Sequence, residues 1–167
     1  MNQKPEGDHM KIAIGSDHAG YQLKRLVMDH LHKQGVDYQD FGTQNGVDAA
    51  SYIPYAAAVA AALQNGEADF GIVICGTGIG ISMTANKFKG IRAALCVNEY
   101  MARMARQHNN ANVLAMGGRV VGSALAFAIV DTFLAEPFES GGRHQERVDE
   151  LTAMETRHFK RSEPLIK

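Results

Sequence analysis

Hydrophobic positions along this chain fall into two alternating rhythms. Residues 11–15, "KIAIG", alternate apolar and small or polar until Gly15, and behind them Leu23, Leu26, Val27 and Leu31 recur at helical spacing up to Gly35. Period two followed by period 3.6 predicts a strand, a loop and a helix. The pattern then returns. "VDYQDFG" (36–42) predicts a second strand, "PYAAAVAAALQNG" (54–66) an alanine-rich helix closing at Gly66, and "FGIVIC" (70–75) a third strand. Near-continuous apolar character of that kind marks a parallel strand covered on both faces. A glycine-rich turn and a short helix follow, then "IRAALCV" (91–97) as strand and "NEYMARMARQH" (98–108) as helix. "NVLAMGG" (112–118) completes the strands and "SALAFAIVDTFLAE" (123–136) follows as helix. Unbroken alternation of this sort predicts a doubly wound α/β/α sandwich, Rossmann-like, with a parallel sheet of about five strands joined by right-handed crossovers. A strongly charged helix from Arg143 to Arg161, after "ESGG" (139–142), is expected to pack outside the sandwich, where it offers a subunit contact. Residues 1–9 read as an extension, 10–161 as a single domain and 162–167 as a tail.

The composition narrows the function. A chain of 167 residues with 46% hydrophobic content can build a single sizeable core. Net charge is -1 and the sequence pI is near 6.6, with no basic run, which argues against nucleic acid or an anionic membrane as partner and for a small-molecule ligand. The longest apolar run, 124–135, contains Asp131 and falls short of the roughly 20 residues a bilayer demands. The opening "MNQKPEGDHM" is too polar for a secretory signal, so a soluble, cytoplasmic protein is expected. Two cysteines outside any CxxC spacing imply neither a disulfide framework nor a zinc site.

In open parallel sheets, ligands bind beyond the carboxyl ends of the strands. That rule selects the loops "GSDHAGY" (15–21), "CGTGIG" (75–80) and "GGRVVG" (117–122), whose polar groups should converge. Gly76, Gly78 and Gly80 suit a turn whose amides face an anion, with a helix N-terminus behind them; tight packing alone would also call for glycine. The turn is neither a dinucleotide fingerprint, since Ile81 stands where a glycine is needed, nor a P-loop, since no Gly-Lys-Ser/Thr follows. Cys75 is either a thiol activated by that N-terminus or an inert buried cysteine. Cys96 takes the inert reading. Asp17 and His18 can orient a hydroxyl, move a proton or meet an anion, while Asp17 can equally cap the next helix. His108 is a candidate for proton transfer or a helix C-cap. Arg143 and Arg147 lie one helical turn apart and suit a phosphate dianion, or else form a solvated face with Glu146 and Glu150. Arg119, expected to open the helix after the fifth strand, is a third candidate for phosphate or else a surface charge. His30 and His32 flank Leu31 without a third ligand at metal spacing and read as surface residues; no metal and no cofactor are expected.

Five ordered blocks, "GSDHAG" (15–20), "ICGTGIGIS" (74–82), "ANKFKGIRA" (85–93), "RQHNNANVLAMGGRVVG" (106–122) and "GGRHQERV" (141–148), resemble the type B ribose-5-phosphate isomerases and their relatives, the galactose-6-phosphate isomerases. The resemblance runs from Lys11 to about Arg157. It implies cofactor-free isomerisation of ribose 5-phosphate to ribulose 5-phosphate through ring opening and an enediolate. By that resemblance Cys75 is the base, Thr77 assists at the sugar hydroxyl, His108 opens the ring and Asp17 holds ring hydroxyls. The amides of Gly76, Gly78 and Gly80 would face the enediolate oxygen, Asn109 would contact the intermediate, and His18, Arg119, Arg143 and Arg147 would grip the phosphate. The resemblance also implies a homodimer with sites shared between subunits, and leaves a tetramer open. One block departs: a common Asp-Tyr-Pro ahead of the second helix is here "SYIP" (51–54), so Ser51 replaces the acid while Tyr52, a sugar contact by resemblance, remains. A six-carbon sugar phosphate, allose or galactose 6-phosphate, is the alternative substrate, and a phosphosugar-binding module without catalysis is the alternative class.

Overall fold

The computed structural model describes residues 10–159; the extension at 1–9, the predicted end of the last helix at 160–161 and the tail at 162–167 lie outside the described residues. Strands β1 (Lys11–Ser16), β2 (Asp37–Asp40), β3 (Phe70–Cys75), β4 (Ala93–Leu95) and β5 (Val113–Gly117) form one parallel sheet in the order β2-β1-β3-β5-β4. Helices α1 (Tyr21–Lys33), α2 (Ile53–Gln64), α3 (Ile79–Ala85), α4 (Glu99–Gln107), α5 (Ser123–Ala135) and α6 (Gly142–His158) alternate with them. A right-handed crossover puts its helix on a face set by the direction in which the connection steps across the sheet. The β2-to-β3 and β3-to-β4 connections step one way and carry α2 and α3, which pack together; β1-to-β2 and β4-to-β5 step the other way and carry α1 and α4, which share a face with α5.

The period of two along the strands divides the core accordingly. Ile12, Ile14, Ile72, Ile74, Leu114 and Met116 face one way, against Leu23, Val27 and Leu31 of α1 and Ala126, Ile129, Val130 and Phe133 of α5. Ala13, Val73, Cys75, Val113 and Ala115 face the other, against Ala56, Val59 and Ala60 of α2 and Ile81 and Ala85 of α3. Cys75 is therefore placed by strand register: it is the last residue of β3 on the α2/α3 face.

Two expectations are corrected. Arg119 does not open α5. Gly117 and Gly118 turn the chain back, and the helix begins only at Ser123. His30 is not a free surface residue: its Nε2 lies 2.7 Å from Asp131 Oδ1 on α5, and its ring stacks on Phe127 at 4.5 Å. The last helix does lie outside the sandwich, burying only Val148. It is tied down where both oxygens of Glu155 accept the Gly90 N–H at 3.0 Å, and it leaves Leu151, Met154 and Phe159 half exposed. No helix among the described residues is long and apolar enough to cross a membrane.

Candidate active site

The three strand-end loops interlock at the carboxyl edge of the sheet. Gly118 N–H donates to Cys75 O at 2.8 Å, Arg119 N–H to Gly76 O at 3.0 Å, and Asp17 N–H to Ile74 O at 3.3 Å. Arg119 thus sits in a turn hung on the cysteine loop, with its guanidinium against Gly76: a Cβ there would lie 3.7 Å from Arg119 Nη1. Cys75 is 4% exposed, and its Sγ accepts the Gly78 N–H at 3.1 Å. Gly78 makes that contact from φ +80°, and a Cβ on it would meet the Met116 carbonyl carbon at 2.8 Å. Only glycine accepts this conformation and proximity. Thr77 Oγ1 accepts the Ile79 N–H at 3.3 Å.

Gly80 serves a different purpose. It lies inside α3, and a Cβ on it would fall 2.6 Å from Tyr52 Cζ and 2.8 Å from Tyr52 Oη. Its missing side chain lets the Tyr52 phenol reach the cysteine loop from the start of α2. Ser51 Oγ accepts the Ile53 N–H at 3.3 Å. Asp17 Oδ1 accepts the Gly20 N–H at 3.0 Å, closing the turn that leads into α1. His18 Nδ1 lies 3.0 Å from Ala50 N. The same nitrogen lies 3.3 Å from Ala50 O, so it either accepts from the amide or donates to the carbonyl according to the tautomer. The loop that supplies Ala50 is held by Lys24, wholly buried, whose Nζ donates to Asp40 Oδ1 and Oδ2 at 2.8 and 2.6 Å and to Thr43 O at 2.8 Å. Cys96 lies apart from these groups, and burial pushes its thiol up to about 12.

The remaining predicted residues are elsewhere. His108 closes α4, and with Asn109 it precedes β5, at the amino edge of the sheet. Its imidazole stacks on His144 of α6 with centroids 3.9 Å apart and planes 5° from parallel. Arg143 and Arg147, both exposed on α6, flank that pair. Glu139 Oε2 lies 4.0 Å from His108 Nε2 and 3.8 Å from His144 Nε2. The three side chains offer one ligand atom each within 4.8 Å of one another. Arg106, not anticipated as a structural residue, sets the frame here. Its guanidinium lies over Phe70 at 4.5 Å and donates to Ala111 O, and burial lowers its pKa. The predicted site residues therefore fall into two groups: Asp17, His18, Tyr52, Cys75, Gly76, Thr77, Gly78, Gly80 and Arg119 at one edge of the sheet, and His108, Asn109, Arg143 and Arg147 at the other.

The model of the family described as Ribose/Galactose Isomerase matches residues 12–151. Ribose-5-phosphate isomerase B of Escherichia coli (strain K12) is 52% identical over 147 residues, 88% of this chain and 97% of that one. The structure of Clostridium thermocellum ribose-5-phosphate isomerase B superposes with a TM-score of 0.86 at 54% identity, covering 89% of this chain and 99% of that one. Ribose-5-phosphate isomerase B from Mycoplasma genitalium with bound ribulose-5-phosphate superposes with a TM-score of 0.83 at 44% identity, covering 89% and 99%.

Proposed function

This chain belongs to the ribose/galactose isomerase family, and on that premise we propose that it interconverts ribose 5-phosphate and ribulose 5-phosphate. The observation that carries the reading is the buried Cys75 thiol at the carboxyl end of β3, accepting the Gly78 N–H with the Thr77 hydroxyl beside it in the chain. A cysteine sulfur so placed can take a carbon-bound proton next to a carbonyl.

The chemistry runs in two stages. His108 takes the proton of the anomeric hydroxyl and returns one to the ring oxygen as the bond between C1 and that oxygen breaks, leaving an aldehyde and a free hydroxyl. Cys75 then removes the proton on C2. The electron pair moves into an enediolate, whose oxygen the loop amides and Thr77 stabilise. The proton returns to C1, the hydroxyl proton on O2 passes to O1, and the ketose results with no net gain or loss of electrons. Asp17 and Tyr52 hold sugar hydroxyls, Asn109 contacts the intermediate, and His18, Arg119, Arg143 and Arg147 bind the phosphate. Neither metal nor organic cofactor takes part.

The reading requires a homodimer, because His108, Asn109, Arg143 and Arg147 must come from a second copy to meet Cys75. A twofold pair gives two equivalent sites. The half-exposed Leu151 and Met154 of α6, with Phe159 at its C-cap, supply apolar surface for such a contact. Two dimers can pair further into a tetramer. A cytoplasmic location belongs to the same reading, since phosphorylated sugars do not cross membranes unaided. Ser51, where the family commonly has an acid, favours one second reading, a six-carbon sugar phosphate as substrate. Conversion of ribose 5-phosphate by the purified protein in chelator, beside Cys75→Ala, tests the proposal. Turnover in the parent and none in the variant supports it, while turnover of allose or galactose 6-phosphate alone selects the second reading.

A further inference from the structure

We propose that His144 is a positioning residue that holds the His108 imidazole in the orientation needed for proton transfer to the sugar ring; this rests on reading His108 as the ring-opening group. The backbone alone does not orient that ring. His108 is the C-cap of α4, its N–H bonded to Met104 O, and two residues on Asn110 turns to φ +46°. The side chain is 33% exposed at a helix end, and among the described residues its one polar partner is Glu139, 4.0 Å away. Its other neighbour is the face of His144, 3.9 Å away, parallel, and only 12% exposed.

The chain delivers His144 to that place by a clamp on α4. Glu136 Oε1 accepts Arg103 Nε at 2.8 Å, Glu136 Oε2 accepts Gln107 Nε2 at 2.6 Å, and Arg106 Nε donates to Glu136 O at 3.3 Å. Glu139 N–H then donates to Gln107 O at 3.0 Å. These bonds fix the segment between α5 and α6, so the first turn of α6 arrives over the end of α4. The ring at 144 covers the one at 108 and fixes its plane.

Charge works in the same direction. Two imidazolium rings stacked this closely repel, and Glu139 can compensate one proton. Burial, and after it the charges of His108, Arg143 and Arg147, hold His144 below the ordinary imidazole range, with Glu139 opposing them. His144 thus takes up a proton less readily than a free imidazole and serves as a neutral stacking face. Chelation of a cation by the trio fits less well. Stacked parallel rings send their Nε2 lone pairs out side by side, whereas a tetrahedral ion needs them to converge.

The test uses the full chain with His144→Ala, His144→Phe and His108→Asn. Two quantities are read: kcat and KM for ribose 5-phosphate across pH, and exchange of the C1 hydrogen of ribulose 5-phosphate with deuterated water, which needs the cysteine but no ring opening. His144→Ala is expected to lower kcat about tenfold or more, the size of loss a misaligned group produces, with KM within about twofold. Exchange stays at the parent rate, and His144→Phe, which keeps the stacked face, recovers most of kcat. The inference is overturned if His144→Ala raises KM at unchanged kcat, if exchange falls as far as turnover, if phenylalanine is no better than alanine, or if zinc inhibits the parent and spares His144→Phe. The two readings fail separately. Full aldose turnover in His108→Asn removes the ring-opening role itself, whereas loss in His108→Asn with none in His144→Ala removes only the positioning.

Discussion

Cys75 and His108 stand at opposite ends of the same sheet. Cys75 faces Gly117 on the last rung of the β3–β5 ladder, and His108 closes α4 ahead of Val113, which begins that strand. Four residue steps along β5 alone span about 13 Å, far beyond the reach of one proton transfer. If both groups serve one sugar, two chains must supply them. Cys75→Ala and His108→Asn, each inactive on ribose 5-phosphate alone, are therefore expected to regain activity when unfolded and refolded together. In a mixed dimer one site receives both intact groups, so an equimolar mixture should reach roughly a quarter of parental turnover. A mixture as inactive as its components would refute the shared site.

Proton transfer and ring opening separate in the ketose direction. Cys75→Ala should lower aldose turnover by about 10² to 10⁴, the range for a lost general base, and should abolish exchange of the C1 hydrogen of ribulose 5-phosphate. His108→Asn should lose only aldose turnover. Deuterium incorporation followed by NMR reads both; exchange persisting in Cys75→Ala would assign the base to another group.

The alternation of strand and helix was legible because periods of two and 3.6 are local, as in "FGIVIC" and the Leu23 to Leu31 stripe. Strand order was not, since it depends on the direction each crossover takes; β5 enters between β3 and β4 with no mark in either sequence. From the sequence, Arg119 reads as opening the helix after the fifth strand. In the fold, the amides of Gly118 and Arg119 go instead to the carbonyls of Cys75 and Gly76. The purpose of Gly80 rests on a ring 28 positions earlier in the chain, and that of His30 on a carboxylate 101 positions away. His144 stood in plain view between two arginines in "GGRHQERV", but its meaning comes from His108, which only the packing of α6 brings to it.

The buried Lys24 ties the loop bearing Ala50 to the sheet with all three of its protons: two go to Asp40 and one to Thr43 O. Lys24→Met keeps the length of the side chain but strands the Asp40 carboxylate, which also accepts Gly42 N–H and Gln44 Nε2. Breaking one side of such a pair costs about 3–5 kcal/mol, which lowers Tm by on the order of 10 °C at matched protein concentration. Adding Asp40→Leu should restore part of that loss by removing the stranded charge. A double variant less stable than Lys24→Met would show that the pair is not the relevant unit. KM should rise in both, because His18 and Tyr52 depend on this loop.

Stability should fall on acidification, and two groups that locate α6 give the sign. His144 is held below its ordinary value of 6.5, chiefly by burial, so the unfolded chain takes up that proton first. Its contribution is complete above 6.5 and is lost as pH falls from there through the folded value. Glu136 is held below its ordinary 4.5, first by the hydrogen bond from Arg103, and its contribution is lost at lower pH still, as pH falls from 4.5 through its folded value. Urea unfolding at fixed protein concentration should show a loss of stability between pH 7 and 5 that is smaller in His144→Phe, and a further loss below pH 4.5 that is smaller in Glu136→Gln. Because Glu136 anchors the segment that carries His144 over His108, Glu136→Gln should also lower kcat for the aldose at neutral pH while leaving ketose exchange intact. Parallel stability profiles in parent and variants would show that neither group's shift is coupled to folding.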